Sequence, residues 1–460
     1  MQLIPAPKKY SVITDNVIKL RPSIDFDAGF EKAAEAFCGY ARKIYKINLS
    51  RGEGGIKLVR KPELGSSEYE IKPPYIYAAS EEGANYALAT FFQLMRVKND
   101  KIYVPDAEIF DFPDCSHRAL MIDFARKFHP TEYLFYYVDM CWLYKINRFQ
   151  LHLTDDQAFR IHSKAFPRLA EEKESYSADV IARLVEYAND RGVILIPELD
   201  VPGHCSRLQL KYPEIFGTCG VLPASERVFD ALETLYGEIC GLFRYSPYIH
   251  IGGDEAAVSN WENDAQTLEY MKEHGIGDYE ELYTEFIRRT TDMIFARERT
   301  PIVWEGFHKS GNDRISKNII VISWENYYQP VTDLAESGFT IINASWRPLY
   351  IVTPDTHWSA EEILGLSRFS WKHWWEKSKA FPDGINISDK NNVIGMQLCA
   401  WGDVLQNYKS AHRAASEEFA LVRERIPAAA EKNWNNSVVR DIGDYDAAYM
   451  RVDSLLTKKG

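Results

Sequence analysis

Two carboxylates stand side by side at Asp254-Glu255, directly after Gly252-Gly253. Adjacent side chains of an extended strand point to opposite faces, so both can converge on one ligand only where the strand ends and glycine frees the backbone. A helix N-terminus is the alternative setting, because acidic residues there meet unsatisfied amides and the positive end of the helix dipole. Two further polar clusters precede the pair. Leu151-His-Leu-Thr-Asp-Asp-Gln157 and Ile196-Pro-Glu-Leu-Asp-Val-Pro-Gly-His204 each close a short apolar run, as His250-Ile-Gly-Gly-Asp-Glu255 does. Carboxylates and histidines gathered in this way are the equipment of proton transfer.

Adjacency narrows the mechanism. Neighbouring α-carbons lie about 3.8 Å apart, which makes it awkward for Asp254 and Glu255 to work from opposite faces of one sugar ring, as the acid and nucleophile of an ordinary retaining glycosidase do. A substrate that carries its own nucleophile removes the difficulty. A 2-acetamido carbonyl oxygen can attack the anomeric carbon while one carboxylate protonates the leaving oxygen and the other holds the amide N–H. A metal-dependent barrel hydrolase built on His152, Asp155, His204 and Asp254 is a competing reading, but no HExxH or CxxC spacing accompanies it. GxxxxGK[ST], a GxGxxG following a strand, and GxSxG are also absent, so neither a metal nor another cofactor is expected.

The elements that must hold these clusters follow a regular plan. Eight apolar runs occur at Ala119–Phe124, Arg148–Leu153, Val193–Leu199, Tyr248–Ile251, Pro301–Trp304, Ile319–Trp324, Thr340–Asn343 and Val393–Trp401. Most are separated by helical patterns, such as Ala178–Asp190, Glu226–Phe243, Tyr279–Ala296 and Ser410–Arg423. This predicts an α/β fold with a (β/α)8 TIM barrel over residues 113–460, ending in a helical tail; a doubly wound open sheet is the competing architecture. In a parallel barrel the carboxyl ends of the strands form the active face, and runs two, three and four all end in polar clusters. Residues 1–112 read as a small α/β domain. Val12–Leu20, Ile56–Val59, Tyr69–Ile71 and Tyr75–Ala78 have strand character, Phe30–Tyr45 and Glu81–Val97 are helical, and Ile109-Phe-Asp-Phe-Pro-Asp114 marks the boundary.

Composition bounds the partners. At 460 residues, 46% hydrophobic and 26% charged, the chain is neither one small module nor disordered throughout. A net charge of −12 speaks against nucleic acid. No window of about 20 apolar residues predicts a membrane span. With no secretory-type run after Met1, the chain as written is expected to be cytoplasmic. Seven scattered cysteines suit reduced thiols.

From Arg118 to Asp403 the motifs resemble those of family 20 glycoside hydrolases, the β-N-acetylhexosaminidases, and the first domain is similar to the small module that precedes the barrel in many members. The resemblance implies a retaining exo-β-N-acetylhexosaminidase that removes terminal β-linked GlcNAc or GalNAc from an oligosaccharide or glycoconjugate, through an oxazolinium intermediate. It implies Glu255 as general acid/base, Asp254 as the carboxylate orienting the acetamido group, and Tyr350 as a donor to the attacking carbonyl oxygen. Arg126 would bind the C3 and C4 hydroxyls, Asp155 and His204 would support the carboxylates, and Trp304, Trp324 and Trp401 would wall the sugar. Burial beside an anion and aromatic rings is expected to raise the Glu255 pKa. Two positions depart from the family pattern. Val352 stands where an acidic residue is usual, leaving that contact to another group such as Asp355, and Asp403 is one methylene shorter than the usual glutamate. Both face distal hydroxyls, so altered epimer selectivity is expected. A non-catalytic sugar binder on the same fold is the alternative.

Overall fold

Eight strands close into a parallel barrel. β1 (His117–Asp123), β2 (Arg148–His152), β3 (Ile194–Glu198), β4 (Tyr248–His250), β5 (Thr300–Trp304), β6 (Ile320–Ser323), β7 (Thr340–Asn343) and β8 (Val393–Ala400) pair in chain order, and β8 returns to pair with both β7 and β1. These are the eight predicted runs, and the TIM barrel is the fold observed. The computed structural model describes residues 2–372 and 383–457, with the side chains of Asp355 and Thr457 outside the described set.

Strands buried on both faces read as near-continuous apolar runs, and every residue of β1 is buried. Inside the barrel, Met121, Ile196, Ile302, Ile322 and Ile342 form a cluster separate from the larger outer core. The interior also carries a polar thread: Gln397 donates to Gln150 Oε1 at 2.9 Å, and Gln150 donates to Glu198 Oε2 at 2.8 Å. Because side chains alternate along a strand, Ile196 and Glu198 share this inward face of β3.

The outer helices start where capping chemistry allows. Ser177, Ser225, Asp278 and Ser410 each accept a backbone N–H from three residues on, opening helices Ala178–Asn189, Glu226–Leu242, Tyr279–Phe295 and Ala411–Trp434. The last continues well beyond the predicted Arg423, through Pro427. A proline inside a helix costs about 3 kcal/mol. Here the buried face of Val422, Ile426, Ala429 and Ala430 packs onto the barrel beside β8 and β1, and that packing outweighs the local cost.

The first domain is a mixed sheet whose strands run in the spatial order Lys9–Leu20, Lys101–Asp111, Tyr69–Lys72, Tyr75–Ala78, Ile56–Arg60, Ser23–Phe26 and Ser50–Arg51. Lys101–Asp111 was not predicted; Pro105 interrupts its pattern, and it runs into the predicted boundary segment. Helix Glu81–Leu94 touches the sheet on one side and the barrel helix Thr131–Leu143 on the other, so it is buried all round from Gly83 onward. No described helix is long and apolar enough to cross a membrane, and the seven cysteines are free thiols.

Arg118 ties the two units together at the start of β1. Only 1% exposed, it donates to the Lys145 carbonyl at 2.8 Å, the Cys115 carbonyl at 2.7 Å and the Tyr86 hydroxyl at 2.5 Å, and it lies over the rings of Tyr86 and Trp434. Replacing it with an apolar residue strands several buried acceptors. Arg118→Met is expected to lower unfolding stability by about 3 kcal/mol, read as a lower urea midpoint; an unchanged midpoint would show that the staple carries no net energy.

Candidate active site

The adjacent carboxylates lie beyond the end of β4, where the chain turns sharply. Gly252 and Gly253 have φ of +73° and +88°, and a Cβ on Gly252 would fall 1.7 Å from Asp200 Oδ1. The Gly253 amide donates to that same oxygen at 3.2 Å, and the Tyr283 hydroxyl donates to the Gly253 carbonyl at 2.7 Å. Glu255 itself has φ +46°, a left-handed conformation that costs a non-glycine residue about 1 kcal/mol. The segment from Ile251 to Ala257 is irregular, so the pair does not open a helix. The turn separates the two environments: Asp254 is 6% exposed, whereas the Glu255 side chain is 53% exposed.

A relay of alternating charges surrounds the pair. Arg126 Nη1 lies 3.1 Å from Asp123 and Nη2 lies 2.9 Å from Asp155. Asp155 meets His152 Nε2 at 3.0 Å through one oxygen and His204 Nδ1 at 3.3 Å through the other. His204 Nε2 then reaches Glu255 at 3.5 Å, and His152 Nδ1 reaches Glu198 at 2.9 Å. Burial opposes charge on both histidines, yet the carboxylates win: Asp200, Asp155 and Glu255 hold His204 well above its ordinary pKa, and Glu198 and Asp155 do so for His152.

This overturns the expected charge on Glu255. Its hydrogen bond to His204 holds it below the ordinary range. Half-exposed, it is desolvated too little to counter that bond. The raised carboxyl is its neighbour: burial, reinforced by the Glu255 charge, pushes Asp254 up to about 7. Asp200 is raised as well, first by burial and then by Asp254.

Aromatic rings close the other side. Trp304 is fully buried, and its indole N–H donates to Glu198 Oε1 at 2.7 Å. Trp324, 5% exposed, donates to the Glu305 carbonyl at 3.1 Å and lies parallel to Tyr350 at 6.0 Å. Trp401 touches Trp304, Tyr350 and His152, and the Arg126 guanidinium lies 4.9 Å from its ring centre. All ten residues singled out from sequence therefore lie on or beside this network. Asp403 is on its edge, 3.8 Å from Arg126 Nε. Val352 packs against the inner barrel cluster.

A profile of the glycosyl hydrolase family 20 catalytic domain matches residues 115–437. The chain belongs to glycosyl hydrolase family 20. It is 27% identical over 400 residues to a "Beta-hexosaminidase" of Vibrio furnissii, covering 77% of this chain and 64% of that protein, which is slightly under two thirds of its length. It is 28% identical over 424 residues to "Beta-hexosaminidase subunit beta" of Sus scrofa, covering 85% of this chain and 73% of that protein. The solved exo β-N-acetylglucosaminidase of Vibrio harveyi in complex with N-acetylglucosamine superposes with a TM-score of 0.81 at 22% identity, over 100% of this chain and 77% of the other, a likeness of fold.

Within this family 20 site, sequence reasoning missed the parts played by Glu198, Asp200 and Trp346. The first two carry a readable signal, since they continue the inward alternation begun at Ile196. Trp346 stacks on Tyr350 at 4.8 Å across a short irregular helix, which no periodicity announces. Three sets of potential metal ligands occur among the described residues: His152, Glu198 and Asp200; Asp155, Asp156 and His204; and Asp200, His204 and Asp254. In each, the histidine already faces a carboxylate with both ring nitrogens. A histidine held protonated in this way has no lone pair to offer a metal.

The raised Asp254 pKa links stability to pH. Between about pH 4 and pH 7 the folded chain keeps a proton that the unfolded chain, with an ordinary aspartate near 3.9, has released. Asp254 therefore costs stability as pH rises through this window. Asp254→Asn removes the cost, so the variant is expected to melt higher than wild type at pH 8, by up to about 4 kcal/mol, with the advantage shrinking toward pH 4. Thermal unfolding at both pH values checks this; an advantage independent of pH would contradict the assignment.

Proposed function

We infer that this chain is a retaining exo-β-N-acetylhexosaminidase that uses the 2-acetamido group of its substrate as nucleophile. One observation carries the reading: Asp254 Oδ1 is buried at the turn with no hydrogen-bond partner among the described residues, beside a more exposed carboxyl already bonded to a histidine. A buried carboxylate oxygen left unpaired is costly, and an acetamido N–H is the donor that would satisfy it.

In the first step the acetamido oxygen attacks C1 as the C1–O bond breaks, and Glu255 delivers its proton to the leaving oxygen. The oxazolinium so formed keeps its N–H on Asp254, whose negative charge offsets the ring's positive charge. In the second step Glu255 takes a proton from water, whose oxygen attacks C1 from the face the leaving group vacated, and configuration is retained. The pair titrates as a unit. In the free chain the proton is favoured on Asp254; an acetamido N–H bound there favours its ionised form, while a leaving group covering Glu255 removes water and favours protonation at Glu255.

Other residues act by placement. Arg126, fixed by Asp123 and Asp155, presents its guanidinium to sugar hydroxyls. Tyr350 offers its hydroxyl to the acetamido oxygen, and Trp304, Trp324 and Trp401 exclude water from the reacting centre. Val352 brings no carboxylate to the distal hydroxyls, and the shorter Asp403 remains half-exposed. Both epimers, N-acetylglucosaminide and N-acetylgalactosaminide, are therefore substrates.

Three measurements test this. Turnover of 4-nitrophenyl β-N-acetylglucosaminide is expected, with kcat lowered in Glu255→Gln by about a hundredfold or more; no turnover in wild type would favour the sugar-binding alternative. Asp254→Asn should lower kcat far more than it raises KM, and a thiazoline analogue of the oxazolinium should inhibit strongly; accumulation of a covalent glycosyl-enzyme would contradict the scheme. For the epimers, a kcat/KM preference of about a thousandfold or more, the scale that a dedicated hydroxyl contact can reach, would remove the claim of dual acceptance.

A further inference from the structure

One carboxylate near the acid/base residue has no part in the scheme above. Glu325 follows Trp324 beyond the end of β6, is only 9% exposed, and has neither an ion pair nor a side-chain hydrogen bond among the described residues. Its backbone is held firmly. The buried Glu305 carboxylate accepts the Asn326 amide at 2.9 Å, the Tyr328 amide at 3.3 Å and the Ser323 hydroxyl at 3.2 Å, while the Glu305 carbonyl accepts the Trp324 indole. Gly306, next to Glu305, packs so closely on the turn that a Cβ there would fall 1.9 Å from the Gly253 carbonyl oxygen and 2.7 Å from the Asp254 α-carbon. The loop is thereby pinned against the turn that carries Glu255.

A largely buried carboxyl with no partner among the described residues has few waters to satisfy it, and it gains from a ligand that brings the missing charge or donor. The charge felt by Glu325 is that of Glu255, while Arg126 is engaged with Asp123 and Asp155, His152 with Asp155 and Glu198, and His204 with Asp155 and Glu255. Glu255 protonates the leaving oxygen, so whatever lies beyond that oxygen comes next to Glu325. We propose that Glu325 makes the leaving-group side of the site selective for aglycones bearing a positive charge, such as an amino sugar or an aminoalkyl group. An ammonium group there meets the Glu325 carboxyl, which, unlike Glu255 with its His204 contact, has no cationic partner among the described residues. Consistent with an unmet need for a counter-ion, burial and the Glu255 charge raise the Glu325 carboxyl to about 7.

The proposal rests on the hydrolase reading above, and the test keeps the two apart. The probes are the 2-aminoethyl and 2-hydroxyethyl β-N-acetylglucosaminides, matched in size and differing in charge, assayed at pH 7 and low salt. The charged-to-neutral ratio of kcat/KM is read within each enzyme, so a general loss of activity cancels. A wild-type ratio of about ten is expected from one partly buried ion pair. It should fall to about one in Glu325→Gln and persist in Glu325→Asp. A readout that needs no variant is the wild-type ratio at raised salt, which should shrink as the charges are screened. Turnover of both glycosides at a ratio near one, or a ratio unchanged in Glu325→Gln, would overturn the proposal and leave the hydrolase reading standing. No turnover of either glycoside, or of the 4-nitrophenyl glycoside, would remove both.

Discussion

The site is governed by the repulsion among carboxylates crowded at the mouth of a barrel. Asp123, Asp155, Glu198, Asp200, Asp254 and Glu255 meet there, and among the described residues their fixed counter-charge is the guanidinium of Arg126. Two shared histidines and the protons retained on Asp254 and Asp200 restore the balance. His152 and His204 each stand between two carboxylates, and Asp254 and Asp200 hold protons that an ordinary aspartate would release. Mobile protons thus replace fixed cations, which suits the proton transfer proposed for this centre.

The barrel satisfies this constraint by bringing each partner from a different strand. Asp123 ends β1, His152 ends β2, Glu198 ends β3, and the turn after β4 delivers Asp254 and Glu255. The strands are rigid because both faces are packed, so distances near 3 Å persist between residues remote in sequence. The glycine turn lets neighbours in the chain occupy different dielectric environments, one buried and one half in water. That difference, together with the His204 hydrogen bond that Glu255 receives, sets their protonation apart.

Much of this was legible in the sequence because parallel barrel strands announce themselves as apolar runs, and polar residues at their ends stand out against that background. Asp155, His204, Asp254 and Glu255 stand out in this way, and the fold brings them together. Arg126, Tyr350 and the three tryptophans needed the family resemblance as well, since a lone tryptophan at a strand end reads equally as core. The charge on Glu255 was misread because it depends on how closely His204 approaches from the loop after β3, a distance that no motif encodes. The end of helix Ala411–Trp434 was misread for a related reason: Pro427 is a local signal, and the packing that overrides it is not local.

The clamp formed by Glu305 has a consequence for how such a site can change. It fixes the backbone on both sides of residue 325 and anchors the Trp324 indole, but it makes no demand on the side chain between them. Position 325 is mechanically insulated. A chain can exchange that one side chain over generations without disturbing the aromatic wall beside it, so that on the reading proposed above taste for the departing group can drift while the chemistry at C1 is inherited intact.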